Sequence, residues 1–75
     1  MKDLLLRLRK LRINLNYTQE YVGYCLGITQ KAYSKIENGE SQLTVERFIQ
    51  LVTIYGVSPA DFFQKLMYFE GADFA

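Results

Sequence analysis

Residues 26 to 30 read Leu-Gly-Ile-Thr-Gln, and this short run constrains the fold more than any other. Gly27 is the residue type that ends helices: just past the last helical residue the backbone turns left-handed, which glycine does without a side-chain clash. Thr29 is the type that starts them, because its hydroxyl accepts one of the unpaired N–H groups of a first turn. A stop and a start separated by one residue leave no length for a strand. Working outward, Thr18 offers a cap for the upstream helix and Asn38-Gly39 ends the downstream one. The segment 18–38 is therefore expected to be two helices of roughly eight to ten residues joined at a steep angle by a turn of about three.

The rest of the chain carries the same punctuation. Leu4, Leu8, Leu11 and Leu15 recur at helical spacing with Arg and Lys between them, which predicts an amphipathic helix over Asp3–Asn14, with Asn14 and Asn16 bracketing the loop that follows. The second helix is expected to bury Tyr21, Val22, Cys25 and Leu26. The third is expected to bury Ala32, Tyr33 and Ile36 while turning Gln30, Lys31, Ser34 and Lys35 outward. Glu40 to Leu43 reads as a polar loop, and Thr44 caps a fourth helix with Val45, Phe48, Ile49, Val52 and Tyr55 inward, ended by Gly56. Ser58-Pro59 reads as N-cap and first residue of a fifth helix, with Phe62, Phe63, Leu66 and Met67 on its apolar side. The expectation is an all-α, compact five-helix domain over residues 1–69, with 70–75 a frayed tail.

Composition narrows the chemistry. The chain has one cysteine, Cys25, and no histidine, so no disulfide within it, no zinc site of the Cys/His kind and no nucleophile–histidine pair can be assembled. There is no phosphate-binding loop, and little room for a pocket. The expectation is a non-enzyme with no cofactor, no metal and no small-molecule effector. Apolar runs are only a few residues long and the N-terminal MKDLLLRLRK is interrupted by charge, so a membrane role is not expected and a reduced, cytoplasmic setting is. Net charge is +1, but it is unevenly spread. Residues 1–36 hold seven cations against two acids, a net +5, and residues 37–75 hold two cations against six acids, a net −4. That asymmetry suits an oriented polyanion, and equally an ordinary solvated helix face. Gly23 sits inside a helix, where it costs about 1 kcal/mol relative to Ala, and a close approach of another helix would account for it.

Arg12, Thr18, Gln19, Val22, Gly23, Leu26, Gly27, Ile28, Thr29, Gln30, Ser34, Ile36, Glu37 and Gly39 together resemble the lambda-repressor/Cro-type helix-turn-helix family of bacterial and phage regulators, also called the xenobiotic-response-element family. The resemblance runs over about residues 4–67 and implies a sequence-specific transcriptional regulator binding double-stranded DNA. Its third helix would lie in the major groove. There Gln30 can pair with the N6/N7 edge of adenine, and Lys31 or Lys35 can donate to guanine O6/N7 or to a phosphate. Ser34 can contact either a base or a phosphate. Gln19 resembles the family glutamine that hydrogen-bonds a phosphate at the start of helix 2, beside Thr18. Asn38, Ser41 and Gln42 occupy the loop that commonly touches the DNA backbone. In the family, the positions of Arg12 and Glu37 form a partly buried structural ion pair.

Two positions depart from the pattern. Glu40 stands where many relatives carry Lys or Arg, and Leu43 where Pro is frequent. Gln42-Leu43-Thr44-Val45 and Asp61-Phe62-Phe63 resemble instead the controller proteins of restriction–modification systems, which are stand-alone dimers. Lambda-type domains bind two-fold operators as dimers with half-sites about 34 Å apart. Leu51, Ile54, Tyr55, Phe62, Phe63, Leu66 and Met67 are the candidates for a homodimer interface, since helices 4 and 5 carry more apolar residues than a single buried stripe in a five-helix monomer needs. The alternative is that the aromatics among them simply fill a small core. A protein-interaction module, such as an antitoxin or adaptor, is the competing function.

Overall fold

The computed structural model describes residues 2–64. Four helices follow in order, α1 (Lys2–Asn14), α2 (Gln19–Leu26), α3 (Gln30–Glu37) and α4 (Val45–Ile54), and a fifth, α5, runs over 59–64 to the end of the described range. No strand occurs among the described residues.

Local chemistry sets each boundary. Thr18 Oγ1 accepts the N–H of Tyr21 at 3.0 Å, Thr29 Oγ1 that of Ala32 at 3.0 Å, Thr44 Oγ1 that of Arg47 at 3.1 Å, and Ser58 Oγ that of Asp61 at 3.0 Å. Each such cap stabilises its helix by about 1 kcal/mol. At the other end of α2, Gly27 adopts φ 76°; Ile28 N–H donates to Gly23 O at 2.9 Å and Gly27 N–H to Tyr24 O at 3.1 Å. This paired closure satisfies carbonyls that the helix would otherwise leave open. α1 ends differently, on Asn16 at φ 61°, which lets Tyr17 N–H fold back to Arg12 O at 3.1 Å.

The core joins Leu8 of α1, Val22 and Leu26 of α2, Tyr33 and Ile36 of α3, Leu43, then Phe48, Leu51, Val52 and Tyr55 of the α4 region, and Phe62 of α5. Phe48 meets Phe62 edge-on at a centroid distance of 5.3 Å and Phe63 at 5.1 Å, which anchors α5 on α4.

Several sequence expectations are corrected here. The loop between α3 and α4 is not polar throughout, since its Leu43 is buried in the core. α4 is rotated relative to the expected stripe: its inner face is Phe48, Leu51, Val52 and Tyr55, spaced at three, four and seven residues, while Val45 and Ile49 lie exposed. The cause is composition, since α4 is apolar on more than one side and its neighbours choose the face. Leu15 follows the end of α1 and is exposed. Tyr21 and Cys25 face outward, because α2 buries the narrower stripe Val22, Gly23 and Leu26.

The candidate dimer residues separate accordingly. Leu51, Tyr55 and Phe62 are 1%, 5% and 1% exposed, inside the chain's own core, and have no surface to offer a second copy. Ile54 packs half-buried against that core, and Phe63 is exposed. Leu66, Met67 and the tail 70–75 lie outside the described residues. The aromatics divide between core and surface: Tyr33, Tyr55, Phe48 and Phe62 fill the core, while Tyr21, Tyr24 and Phe63 are exposed.

Candidate nucleic-acid interface

α3 is held from one side and open on the other. Tyr33 and Ile36 insert into the core, Thr29 caps the first turn, and the opposite side turns Gln30, Lys31 and Lys35 to solvent with Ser34 half-buried. These residues border two hollows. One, of about 570 Å³, lies between the start of α2 and α3 and is lined by Gln19, Thr29, Gln30, Lys31, Ser34, Lys35 and Glu40. The other, of about 770 Å³, lies between α3 and the start of α4, with Ser41, Gln42, Thr44, Arg47 and Gln50 on its far wall. Lys31 and Lys35 border both. Five of the residues expected to meet DNA, Gln19, Gln30, Lys31, Ser34 and Lys35, thus share one cleft; Ser41 and Gln42 line the neighbouring groove. Glu40 lies on the cleft too, an acid among cations. Asn38 is exposed at the end of α3, where its Nδ2 donates to Ser34 Oγ at 3.4 Å. Thr18 is spent partly as the cap of α2.

At the end of α3 lies Glu37, whose side chain is 2% exposed. Its carboxylate accepts from four donors. Arg12 Nε reaches Oε2 at 2.8 Å and Arg12 Nη2 reaches Oε1 at 3.0 Å, a two-pronged pairing that joins α1 to α3. Tyr33 OH donates to Oε2 at 2.6 Å, and Gln19 Nε2 to Oε1 at 3.0 Å. Since the single Tyr33 proton goes to the carboxylate, Tyr55 OH, 3.1 Å away, donates to the Tyr33 oxygen. Arg12 Nη1 also donates to Tyr17 O at 2.8 Å. One buried carboxylate thereby gathers α1, the loop after it, the first residue of α2, α3 and the end of α4. No buried polar side-chain atom among the described residues is left without a partner.

Burial opposes ionisation of Glu37, but the hydrogen bonds from Arg12, Tyr33 and Gln19 outweigh it and hold the carboxyl below its usual range. The Arg12 guanidinium is raised by its bond to Glu37, against the effect of burial. Both hydroxyls of the relay are raised chiefly by burial, Tyr33 further by its bonds to Glu37 and Tyr55. The network is therefore charged at Arg12 and Glu37 and neutral at both tyrosines at pH 7.

Other contacts escaped the sequence reading. A Cβ on Gly23 would come within 3.1 Å of Ile28 O and 3.2 Å of Thr29 O, so the close neighbour is the backbone of the turn and not another helix. Arg47 donates from Nη1 to Leu26 O at 3.3 Å and to Gln50 Oε1 at 2.9 Å, binding α4 to the last carbonyls of α2, where the helix dipole favours a cation. The Tyr33–Glu37 spacing of four residues is a helical-neighbour signal that was present in the sequence. The Tyr55–Tyr33 and Arg47–Leu26 bonds had none, since each joins residues more than twenty apart.

No helix among the described residues is long and apolar enough to cross a membrane. Residues 8–62 match the helix-turn-helix family, a span that contains α2, α3 and α4 entire and the Arg12–Glu37 network that holds them. Over 59 residues, 79% of its length, the chain is 37% identical to an SPbeta prophage-derived uncharacterized HTH-type transcriptional regulator, YonR, of Bacillus subtilis (strain 168). The match covers 54% of that relative, so the chain corresponds to about half of its length. No solved structure matches. The capped helix pair with its one-residue punctuation, the core that fixes α3, and the match across most of the chain agree: the protein belongs to the helix-turn-helix family, of the lambda-repressor/Cro type.

Proposed function

We propose that the chain is a sequence-specific DNA-binding transcriptional regulator that inserts α3 into the major groove. One observation carries this reading: Gln30, Lys31, Ser34 and Lys35 share the open side of a short helix whose other side is locked into the core, and they border one cleft with Gln19. Gln30, at the first position of α3, suits an adenine edge, and the two lysines suit guanine or phosphate. Gln19, Thr18, Asn38, Ser41 and Gln42 are the phosphate-contact candidates around them, with Glu40 weakening the local attraction. The regulator title of the prophage relative points the same way.

Binding to a two-fold operator requires a dimer, which we assign to Phe63 and Ile54 together with Leu66 and Met67. A sedimentation or light-scattering measurement showing a monomer both free and on DNA overturns that assignment. A protein-interaction module is the second reading, favoured by the exposed Tyr24 and Tyr21 on α2.

Binding-site selection from random duplexes, followed by titration of Gln30→Ala and Lys35→Ala, tests the primary reading. Gln30→Ala should relax preference at one base pair at a cost of about 1–3 kcal/mol. Lys35→Ala should weaken binding and, if it meets phosphate, reduce the salt slope by about one. Melting temperatures should stay nearly unchanged, since both side chains are exposed. If neither substitution alters affinity, α3 is not the reading element; salt-independent retention of a partner protein, with no DNA binding, would favour the second reading.

A further inference from the structure

Gln19 is the first residue of α2 and lies half-buried at the edge of the cleft, yet part of its hydrogen-bonding capacity is already committed. Its Nε2 donates to Glu37 Oε1 at 3.0 Å. An ionised carboxylate only accepts, so the amide nitrogen and not the amide oxygen must face Glu37. A side-chain amide carries two N–H groups; one is held by the buried carboxylate, and because Gln19 also lines the cleft the second is available to a ligand there. Without Glu37 the amide could rotate by half a turn and present its oxygen to the outside, where a phosphate would be repelled.

The rest of the network makes this control firm. Arg12 neutralises Glu37 and grips both of its oxygens, and Tyr33, backed by Tyr55, holds Oε2 from the other side. Glu37 Oε1 therefore has a defined position from which to orient Gln19. A well-packed apolar pair could join α1 to α3 about as well as a buried ion pair does. It could not decide which edge of the Gln19 amide is turned outward.

We propose that Glu37 is a positioning residue for nucleic-acid binding: its Oε1 orients the Gln19 amide so that the second Nε2–H is presented to a backbone phosphate in the cleft. The inference rests on the reading of Gln19 as a phosphate contact, and the test separates the two. Affinity for a random-sequence duplex at low salt is measured for the unaltered chain, Gln19→Ala, Glu37→Gln and the double variant, all at a temperature where circular dichroism shows each folded. Gln19→Ala should weaken binding about tenfold, as expected for loss of a hydrogen bond to a charged group. Glu37→Gln should weaken it several-fold in the parent chain and by less than about twofold in the Gln19→Ala background, a coupling read directly from the cycle. Its loss of thermal stability should differ between the two backgrounds only by what the Gln19–Glu37 bond itself contributes. Tyr33→Phe, which leaves the Oε1–Gln19 bond in place, should lower stability without lowering affinity.

If Gln19→Ala leaves affinity unchanged, the phosphate-contact reading fails. If Gln19→Ala weakens binding but Glu37→Gln costs the same affinity with or without Gln19, Glu37 is structural only and the proposal is overturned. Should Glu37→Gln not fold, the side-chain amide protons of Gln19 decide in the unaltered chain by nuclear magnetic resonance. One should be protected from exchange, and the other should shift when duplex is added. Equal, rapid exchange of both, or no shift, refutes the positioning role.

Discussion

Arg12→Ala isolates what the buried pair contributes, and the geometry sets its size. The substitution removes both prongs on Glu37 and the bond to Tyr17 O, and leaves a carboxylate that is 2% exposed in the parent chain with Tyr33 and Gln19 as its remaining donors. Glu37 then has two options: to stay ionised without a counter-charge, or to take up a proton. Proton uptake caps the penalty. From an ordinary value of 4.5, holding a proton at pH 7 costs about 3.4 kcal/mol at 1.36 kcal/mol per pH unit. The lost bond to Tyr17 adds about 1 kcal/mol. The expected destabilisation at pH 7 is thus about 3–5 kcal/mol, the range typical of breaking a buried pair by deleting one member. That is a large share of the total stability of a chain of this length, about 4–11 kcal/mol at 0.05–0.15 kcal/mol per residue.

The pH dependence provides the sharper check. In the parent chain the Glu37 carboxyl is held below its unfolded value, so its stabilisation is present above about pH 4.5 and is lost as pH falls through the lower, folded value. In Arg12→Ala the sign reverses. A carboxyl kept neutral in the fold has a raised value, and its penalty fades as pH falls toward 4.5. Between pH 7 and pH 5 the gap between the two proteins should narrow by about 2–3 kcal/mol. Urea unfolding followed by far-ultraviolet circular dichroism at both pH values measures it. Adding Glu37→Gln to Arg12→Ala removes the stranded charge and should restore about 2 kcal/mol at pH 7. A loss below about 1 kcal/mol with no pH dependence would mean that the pair behaves as a solvent-exposed bridge, and the account of the hub would be wrong.

Gly23→Val should destabilise the fold by about 2 kcal/mol or more, because any Cβ presses on the carbonyls of Ile28 and Thr29 and a branched one leaves no escape; a thermal melt within a degree or two of the parent would show that the turn can yield. On the alkaline side, burial raises Tyr33 and Tyr55 above their ordinary value of 10.0, so stability should be fully present below pH 10 and decline above it. Tyr55→Phe should flatten that decline in urea midpoints between pH 9 and pH 11, and an unchanged slope would remove Tyr55 from the relay.

Which parts of this molecule were legible beforehand follows from how far apart the interacting atoms lie along the chain. A cap spans three residues, so Thr18, Thr29, Thr44 and Ser58 could each be read locally, and all four accept the N–H three residues on. Gly27 was legible for the same reason. The inward face of α4 was not. Six of its ten residues are apolar, Val45, Phe48, Ile49, Leu51, Val52 and Ile54, and a period of 3.6 alone could not choose between the stripe containing Val45 and Ile49 and the one containing Leu51. Packing against α2, Leu43 and Phe62 chose it, and in choosing it withdrew Leu51, Tyr55 and Phe62 from the surface where a second copy could meet them.

Glu37 shows the same limit at the candidate site. As a sequence it is an acid beside a helix end, in a segment otherwise suited to phosphate, which argues for turning it away from DNA. Its link to Arg12, twenty-five residues back, came only through family resemblance, and its link to Gln19, eighteen residues back, through neither resemblance nor spacing. Yet that last bond reconciles two demands. A carboxylate near a phosphate site is unfavourable unless its charge is neutralised, and Arg12 neutralises it. Once neutralised, its remaining accepting capacity can only attract N–H or O–H groups, so it sorts the two edges of the Gln19 amide. On the proposed reading, the negative charge at the end of α3 is what lets the neutral Gln19 side chain act consistently as a donor to phosphate.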